Sequence, residues 1–442
     1  MRSTHRAALL ATVAVSGAII SCRPADAGGF AIREQSATFQ GMSYAGNAAG
    51  GALSSMFWNP AATATFPGLN TESSYTLILP DSKVTVHESP IPSGLFPNSS
   101  DIGDVAFASG TYGAYQLSGY DPNLFIGVAI NGPFGLLTEP KRENYEASVL
   151  GRTTRLFTLN VNPTVAYRIA PGLVVGGGAQ IQYADAALKF ATGAPNGPNT
   201  FFQGDDVAFG GTAGILWSPA IGTSLGLGWR SQLTHTIDGT FGTAHTPLKV
   251  SGETEVNLPD VVTFSVQQAV SPVARIMGTV EWSSWSRFDK LTVKARQAGI
   301  TALNTEADPI TLPGQTIATI PTNWSDGWFF ALGGEYDYSP RLTFRAGGAY
   351  GISPVDEPEK RVVGIPDSNR IWASGGASYK WSEWLTVDLA YTHIFFEDAS
   401  FVRSPVGSTA VFAGDVNSSA DLITVGFKTK WGGEPPLEPP LK

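Results

Sequence analysis

Polar and apolar residues alternate along most of this chain with a period of two. The run RLFTLNVNPTVAYRI shows it best: Phe157, Leu159, Val161, Pro163, Val165 and Tyr167 share a parity with Arg155, while Leu156, Thr158, Asn160, Asn162, Thr164, Ala166 and Arg168 share the other. That period places the two sets on opposite faces of a β-sheet. One face is mostly apolar and the other mostly polar. The pattern suits a transmembrane strand with its apolar side to lipid, and equally a soluble sandwich with that side inward.

The connections decide between them. Six are short and turn-like, around residues 118–123, 170–172, 218–222, 270–272, 339–340 and 382–383. Pro, Gly, Asp and Ser at these places favour tight turns. Seven longer, Pro-rich and polar segments lie between them, near 87–103, 137–152, 190–205, 240–254, 294–322, 352–368 and 397–418. Short and long alternate strictly, so thirteen connections join fourteen strands between about Leu69 and Trp431. An even count puts both ends of the wall on the short-turn side. Outer-membrane barrels have that asymmetry, with short periplasmic turns and long external loops; a soluble sandwich has no reason for it. The last strand, ADLITVGFKTKW, is expected to close against the first, and a Pro-rich tail, residues 432–442, follows. Tyr167, Trp217, Trp229, Trp282, Trp285, Trp324, Trp328, Trp372, Trp381, Trp384 and Trp431 lie near strand ends, where interfacial girdles place aromatics.

Residues 28–68 keep no such period. They are rich in small residues, and a barrel of fourteen strands is wide enough to hold them as a plug. Within this stretch Asn59-Pro60-Ala61 reads as a fixed corner: the residue before proline avoids helix, and an Asn side chain bonds nearby backbone groups.

Composition supports the membrane reading. Only 15% of the 442 residues are charged, against 43% hydrophobic, with 50 Gly and 24 Phe. After the N-terminus no apolar run reaches about 18 residues, which excludes membrane-spanning helices but not strands. Arg2, His5 and Arg6 followed by an apolar stretch to Ile20 and by Ala25-Asp26-Ala27 form an export signal, with Gly28 as the expected first mature residue. Ile19-Ile20-Ser21-Cys22 also resembles a lipoprotein cleavage box, so Cys22, the only cysteine, is either lipidated or removed. The formal charge of -9 argues against nucleic acid as a partner. No H-E-x-x-H, G-x-S-x-G or phosphate loop is present, so no enzyme, metal or cofactor is expected. Asp205-Asp206 reads as a solvated acidic pair in an external loop.

Several motifs then fall in a familiar order: GGFAIREQS from Gly28, NPAA at 59–62, NGPFGLLTEP at 131–140, GWRSQL at 228–233, NLPD at 257–260, EWSSWSRFDKL at 281–291, SPV at 353–355, IPDSNRIW at 365–372 and YTH at 391–393. In these the chain resembles the FadL/TodX-type outer-membrane transporters of long-chain fatty acids or aromatic hydrocarbons, over nearly all of its mature length. The resemblance implies an all-β, fourteen-stranded antiparallel transmembrane barrel (69–431) with an N-terminal hatch (28–68) in its lumen. It implies Phe30, Asn59, Pro60 and Ala61 as hatch residues. It also implies a lateral opening where Asn131, Gly132, Pro133, Phe134 and Gly135 interrupt the third strand, although a bulge there fits the sequence equally well. The expected partners are a hydrophobic small molecule and outer-membrane lipid, the expected state a monomer. One departure bears on substrate. Two positions that are basic in fatty-acid members hold Asp185 and Ser325 here, so either another base serves or the cargo is not a carboxylate. Arg230 and Arg345 are the candidate bases, with Glu281 and Asp388 as groups that would pair with them. Fatty-acid uptake is the leading expectation, with uptake of uncharged hydrocarbons, or a receptor or adhesive barrel without transport, as alternatives.

Overall fold

A computed structural model describes residues 28–301, 303–304 and 310–432. The export signal with Cys22 and tail residues 433–442 lie outside the described residues. The described chain forms one closed antiparallel barrel. In chain order its strands are β1 (Leu69–Glu88), β2 (Ala106–Gln116), β3 (Leu124–Asn131 and Gly135–Thr138), β4 (Thr153–Ala170), β5 (Leu173–Ala191) and β6 (Asn199–Ala220). There follow β7 (Thr223–Arg230 and Leu233–Thr243), β8 (Lys249–Leu258 and Val261–Ser271), β9 (Ala274–Ser283 and Lys290–Ala295) and β10 (Thr316–Pro321 and Gly327–Ser339). The ring ends with β11 (Leu342–Ile352), β12 (Arg370–Lys380), β13 (Leu385–Phe396 and Ala399–Arg403) and β14 (Phe412–Trp431). Each strand pairs with the next, and β1 pairs with β14 from Leu69 opposite Trp431 onward, so no edge is left.

The faces are as the alternation requires. On β4, Leu159, Pro163, Val165 and Tyr167 are exposed on the outside while Thr158, Asn160, Asn162 and Thr164 are buried inside. Two sequence expectations are corrected. The segments near 190–205, 240–254 and 397–418 are largely strand, because β5, β6, β8 and β14 run far past the turnover needed to cross lipid; β6 alone is 22 residues long, where about ten suffice. Asp205 and Asp206 are therefore on β6, not in a loop. The aromatic set also divides. Trp217, Trp229, Trp328, Trp381 and Trp384 face outward, but Trp285, Trp324 and Trp372 are buried in the lumen, since nearness to a strand end does not fix which side a ring takes.

Residues 28–67 lie inside the ring. They fold as a short helix, α1 (Ala37–Gln40), and two 3-10 turns, Leu53–Phe57 and Pro60–Ala64. Glycines on the inner wall let this segment come close. A Cβ at Gly176 on β5, Gly214 on β6, Gly228 on β7 or Gly347 on β11 would overlap Ala61, Asn59, Trp58 or Met42. These contacts come from opposite sides of the barrel, so only an internal position satisfies them all.

Candidate functional site

The lumen changes character along its length. Toward the short turns it is filled by residues 36–66, which bond to polar wall side chains and pack Phe39, Met42, Leu53 and Trp58 in one buried apolar cluster. The Glu72 carboxylate accepts bonds from Leu53 N (2.8 Å), Ser54 N (3.1 Å) and Ser54 Oγ (2.6 Å). Arg230 donates to the Phe57 carbonyl at 3.0 Å and to Gln180 Oε1 at 2.6 Å. Asn59 caps the second 3-10 turn by accepting from Ala61 N at 3.0 Å, and its amide donates to Ala48 O at 2.8 Å and Ile215 O at 2.9 Å. Pro60 follows as the first residue of that turn, where a missing N–H costs nothing.

Toward the long loops the inner wall is apolar. The extensions of β7 and β8 invert the usual alternation: Leu233, Ile237 and Phe241 are buried inside while Thr234, Thr236 and Asp238 face out, and Val250, Val256 and Leu258 follow the same rule. Beyond the lipid the outside is water, so the apolar parity turns inward. The result is an apolar cavity lined chiefly by Leu136, Leu156, Phe190, Phe202, Phe241, Val256, Phe288, Leu291, Val293 and Ile365. Phe30 closes its inner end. Its ring packs edge-on against Trp285 (4.6 Å), Phe288 (5.3 Å) and Phe134 (6.3 Å), and lies 5.9 Å from Trp324.

The same few residues of the N-terminal segment touch the interruption in β3. The lower part of β3 pairs with β2 up to Asn131 opposite Gly110. The upper part, Gly135–Thr138, pairs with β4 and meets the β1–β2 connection through the bridge of Thr138 to Gly103. Pro133 supplies no ladder donor in between. Residues 30–35 bond here from inside: Ile32 N to Pro133 O (2.8 Å), Gly135 N to Phe30 O (2.8 Å) and Gln35 Nε2 to Gly132 O (2.9 Å), with Ala31 opposite Phe134. Phe134 N also bonds Thr158 Oγ1 at 3.0 Å. Thus Phe30, the cavity and the five residues of the interruption form one connected site.

The four charged candidates stand elsewhere. Arg345 pairs with Glu335 (3.0 Å) and Asp388 (3.7 Å), and Asp388 also with Lys428 (3.0 Å). Glu281 pairs with Arg33 of the N-terminal segment and accepts from Thr263 at 2.9 Å, rather than pairing with Arg230. None of the four lines the apolar cavity among its described residues. Asp185 binds Arg155, both on the outward parity of their strands, and Ser325 donates to Asp356 at 2.8 Å. Arg155 reaches the cavity rim but is engaged by Asp185. Of the cavity phenylalanines only Phe241 belongs to that inverted alternation. The convergence of the lining from β3 to β10 has no sequence signal.

Comparison with known proteins agrees with this architecture. Residues 18–431 match the family model described as outer membrane protein transport protein (OMPP1/FadL/TodX). The chain is 28% identical to a long-chain fatty acid transport protein of Escherichia coli O6:H1, over 94% of this chain and 97% of that one. It is 26% identical to outer membrane protein P1 of Haemophilus influenzae, over 85% and 88%. Among solved structures, a FadL homologue of Pseudomonas aeruginosa superposes with a TM-score of 0.79 at 18% identity, covering 92% of this chain and all of that one, 100%. The Pseudomonas putida toluene transporter TodX gives 0.65 at 15% identity, covering 92% and 99%.

Proposed function

The chain belongs to the OMPP1/FadL/TodX family of outer-membrane proteins that transport hydrophobic compounds and are not enzymes, and we propose that its cargo is a long-chain aliphatic molecule, fatty acids foremost. The observation that carries this reading is the double role of Phe30. Its ring closes the apolar cavity, and its backbone is bonded to the interruption of β3. A ligand entering from the loops competes with Phe30 for apolar contacts. When residues 28–35 withdraw, the bonds that cover Pro133–Gly135 break with them. The N-terminal segment then acts as a hatch, and the ligand leaves sideways between β2 and β3 into lipid.

Magnitudes favour a long chain. Unseating Phe30 forfeits about 2–3 kcal/mol of apolar burial, the three bonds to residues 132–135 contribute about 1 kcal/mol each, and the ties of Gly29 to Asp367 and of Arg33 to Glu281 add to that cost. A dozen methylenes entering the cavity gain roughly ten kcal/mol, at about 0.8 each. A single aromatic ring with one methyl gains about half of that, too little to compete. No external energy source is needed, because the ligand's transfer from water drives the exchange.

A second reading, uptake of uncharged hydrocarbons, is favoured by the cavity wall, whose only charged residue among those described, Arg155, is already paired. Both are tested in Gram-negative cells lacking their own fatty-acid transporter and expressing the full chain. Uptake of labelled palmitate above the empty-vector level supports the first reading. Uptake of labelled hexadecane without palmitate supports the second. A correctly inserted barrel that takes up neither removes the transport of long aliphatic chains.

A further inference from the structure

At the level of the β3 interruption, four polar side chains form a row across the inner wall. Asn131 on β3 stands opposite Asn160 on β4, and Asn160 opposite Gln182 on β5. His235 on β7 completes the row through Gln182, 3.1 Å between the two nitrogens. All four are buried. On β4 the row lies four residues, about 13 Å, below Leu156 of the apolar cavity. It therefore sits at the lower edge of the wall gap, which begins after Asn131 and lies between the row and that cavity.

The bonding within the row is incomplete in a specific way. His235 Nδ1 donates to Asp206 Oδ2 at 3.0 Å, which leaves Nε2 to accept from Gln182. Asn160 Nδ2 donates to Asn131 Oδ1 at 3.3 Å. Asn131 Nδ2, Asn160 Oδ1 and Gln182 Oε1 are fully buried and have no protein partner. Buried polar atoms without partners are costly, and native interiors keep few of them. Here three lie in one row, one donor group and two acceptors, with no net charge. Turning Asn131 and Asn160 over together keeps their bond and still leaves one donor group and two acceptors.

We infer that this row is a second ligand subsite, which takes the uncharged hydrogen-bonding end of an otherwise aliphatic ligand, a primary alcohol or a protonated acid, as the chain passes from the cavity toward the gap. A hydroxyl donates to Asn160 Oδ1 or Gln182 Oε1 and accepts from Asn131 Nδ2. A carboxylate has no proton for the two acceptors and meets no cation here. A hydrocarbon leaves all three atoms unpaired. The inference rests on the transport reading above and narrows its cargo.

The test uses the full chain in the same transporter-deficient cells, with hexadecan-1-ol and hexadecane as labelled probes. Asn160→Leu and Gln182→Met remove the polar atoms at nearly constant volume. Each is expected to lower initial hexadecanol uptake about tenfold while hexadecane uptake is unchanged, which also shows that the barrel is folded. An equal fall for both probes, or no fall for hexadecanol, overturns the subsite. As a measure independent of any variant, hexadecanol carrying a diazirine beside its hydroxyl is photolysed on the unaltered protein. Cross-links are expected in residues 158–162 or 180–184; cross-links confined to the cavity around 286–293 overturn it. If the unaltered protein takes up neither these probes nor palmitate, the transport reading fails instead; palmitate uptake without hexadecanol uptake overturns the subsite alone, so the two failures are distinct.

Discussion

The two parts of the N-terminal segment, residues 36–66 and 28–35, are held in different proportions by bonds and by apolar contact. Residues 36–66 are bolted to strands all round the barrel: Ala37 to Ser74, Gly46 to Thr279, Ala48 to Ser265, Leu53 and Ser54 to Glu72, Thr63 to Thr164, and the Ala64 carbonyl to Arg168. Residues 28–35 are tied at fewer places, to Asp367 just before β12, to Glu281 on β9 and to the broken stretch of β3. Their chief anchor is the aromatic cluster around Phe30, which an apolar ligand can replace contact for contact. A segment secured by distributed, directional bonds resists loosening at any one point. One secured by apolar contact yields to whatever offers more of it. On the function proposed above, residues 28–35 are the part that a ligand displaces and the rest is its support.

The largest effect should come from removing that motion. Ala31 and Phe134 face each other as an antiparallel pair, a separation a disulfide can span. With Ala31→Cys and Phe134→Cys together, oxidised cells are expected to lose palmitate uptake by more than tenfold, and reductant should restore it. The single-cysteine variants control for the lost aromatic contact. Undiminished uptake with the bridge formed would mean that ligand passes without displacing this segment, and the comparison would collapse.

Next comes the supporting half. Asn59→Ala removes three bonds and leaves the carbonyls of Ala48 and Ile215 without that donor. At about 1 kcal/mol each, residues 57–66 should open roughly a hundredfold more often. Hydrogen exchange of that stretch should quicken accordingly, uptake should fall, and the barrel should become leaky to small hydrophilic solutes. Faster exchange confined instead to residues 28–35 would show that the two halves are not independent.

Much of this was readable in the chain because lipid imposes a simple rule. Apolar residues facing out and polar residues facing in gave the fourteen strands. The alternation of short and long connections gave their direction, and Asn131–Gly135 showed as a break in a strand. What escaped follows from where the rule stops. Past the lipid, β7 and β8 invert their parity around Leu233, Ile237 and Phe241, so the cavity wall resembled loop. Trp285 sits in a 3-10 turn that interrupts β9 and folds inward, which a position near a strand end does not reveal. The pairing of Arg155 with Asp185 depends on register between two strands. The resemblance supplied motif order but not the partners of each charge.

The smallest effect tests how the mobile half responds to acid. Glu34 is wholly buried beside Arg33, Arg370 and Tyr44, and burial pushes its carboxyl up from 4.5 to about 7, against the pull of the two arginines. The seated segment thus prefers the neutral carboxyl, while the unseated one titrates near the ordinary value. The contribution of Glu34 to seating is fully present below about pH 4.5, declines as pH rises, and is gone above about pH 7. Across pH 6 to 8 the seating equilibrium of residues 28–35 should weaken about tenfold, a consequence of that one titration. The protection of those residues against hydrogen exchange, corrected for the intrinsic rise of amide exchange with pH, should fall over this range while that of residues 57–66 stays unchanged. Glu34→Gln keeps the neutral form at every pH, so its corrected protection should remain at the acid level throughout. If the unaltered protein shows a flat profile, Glu34 keeps one charge state in both positions, and the loosening of this half is governed by Phe30 and its aromatic contacts alone.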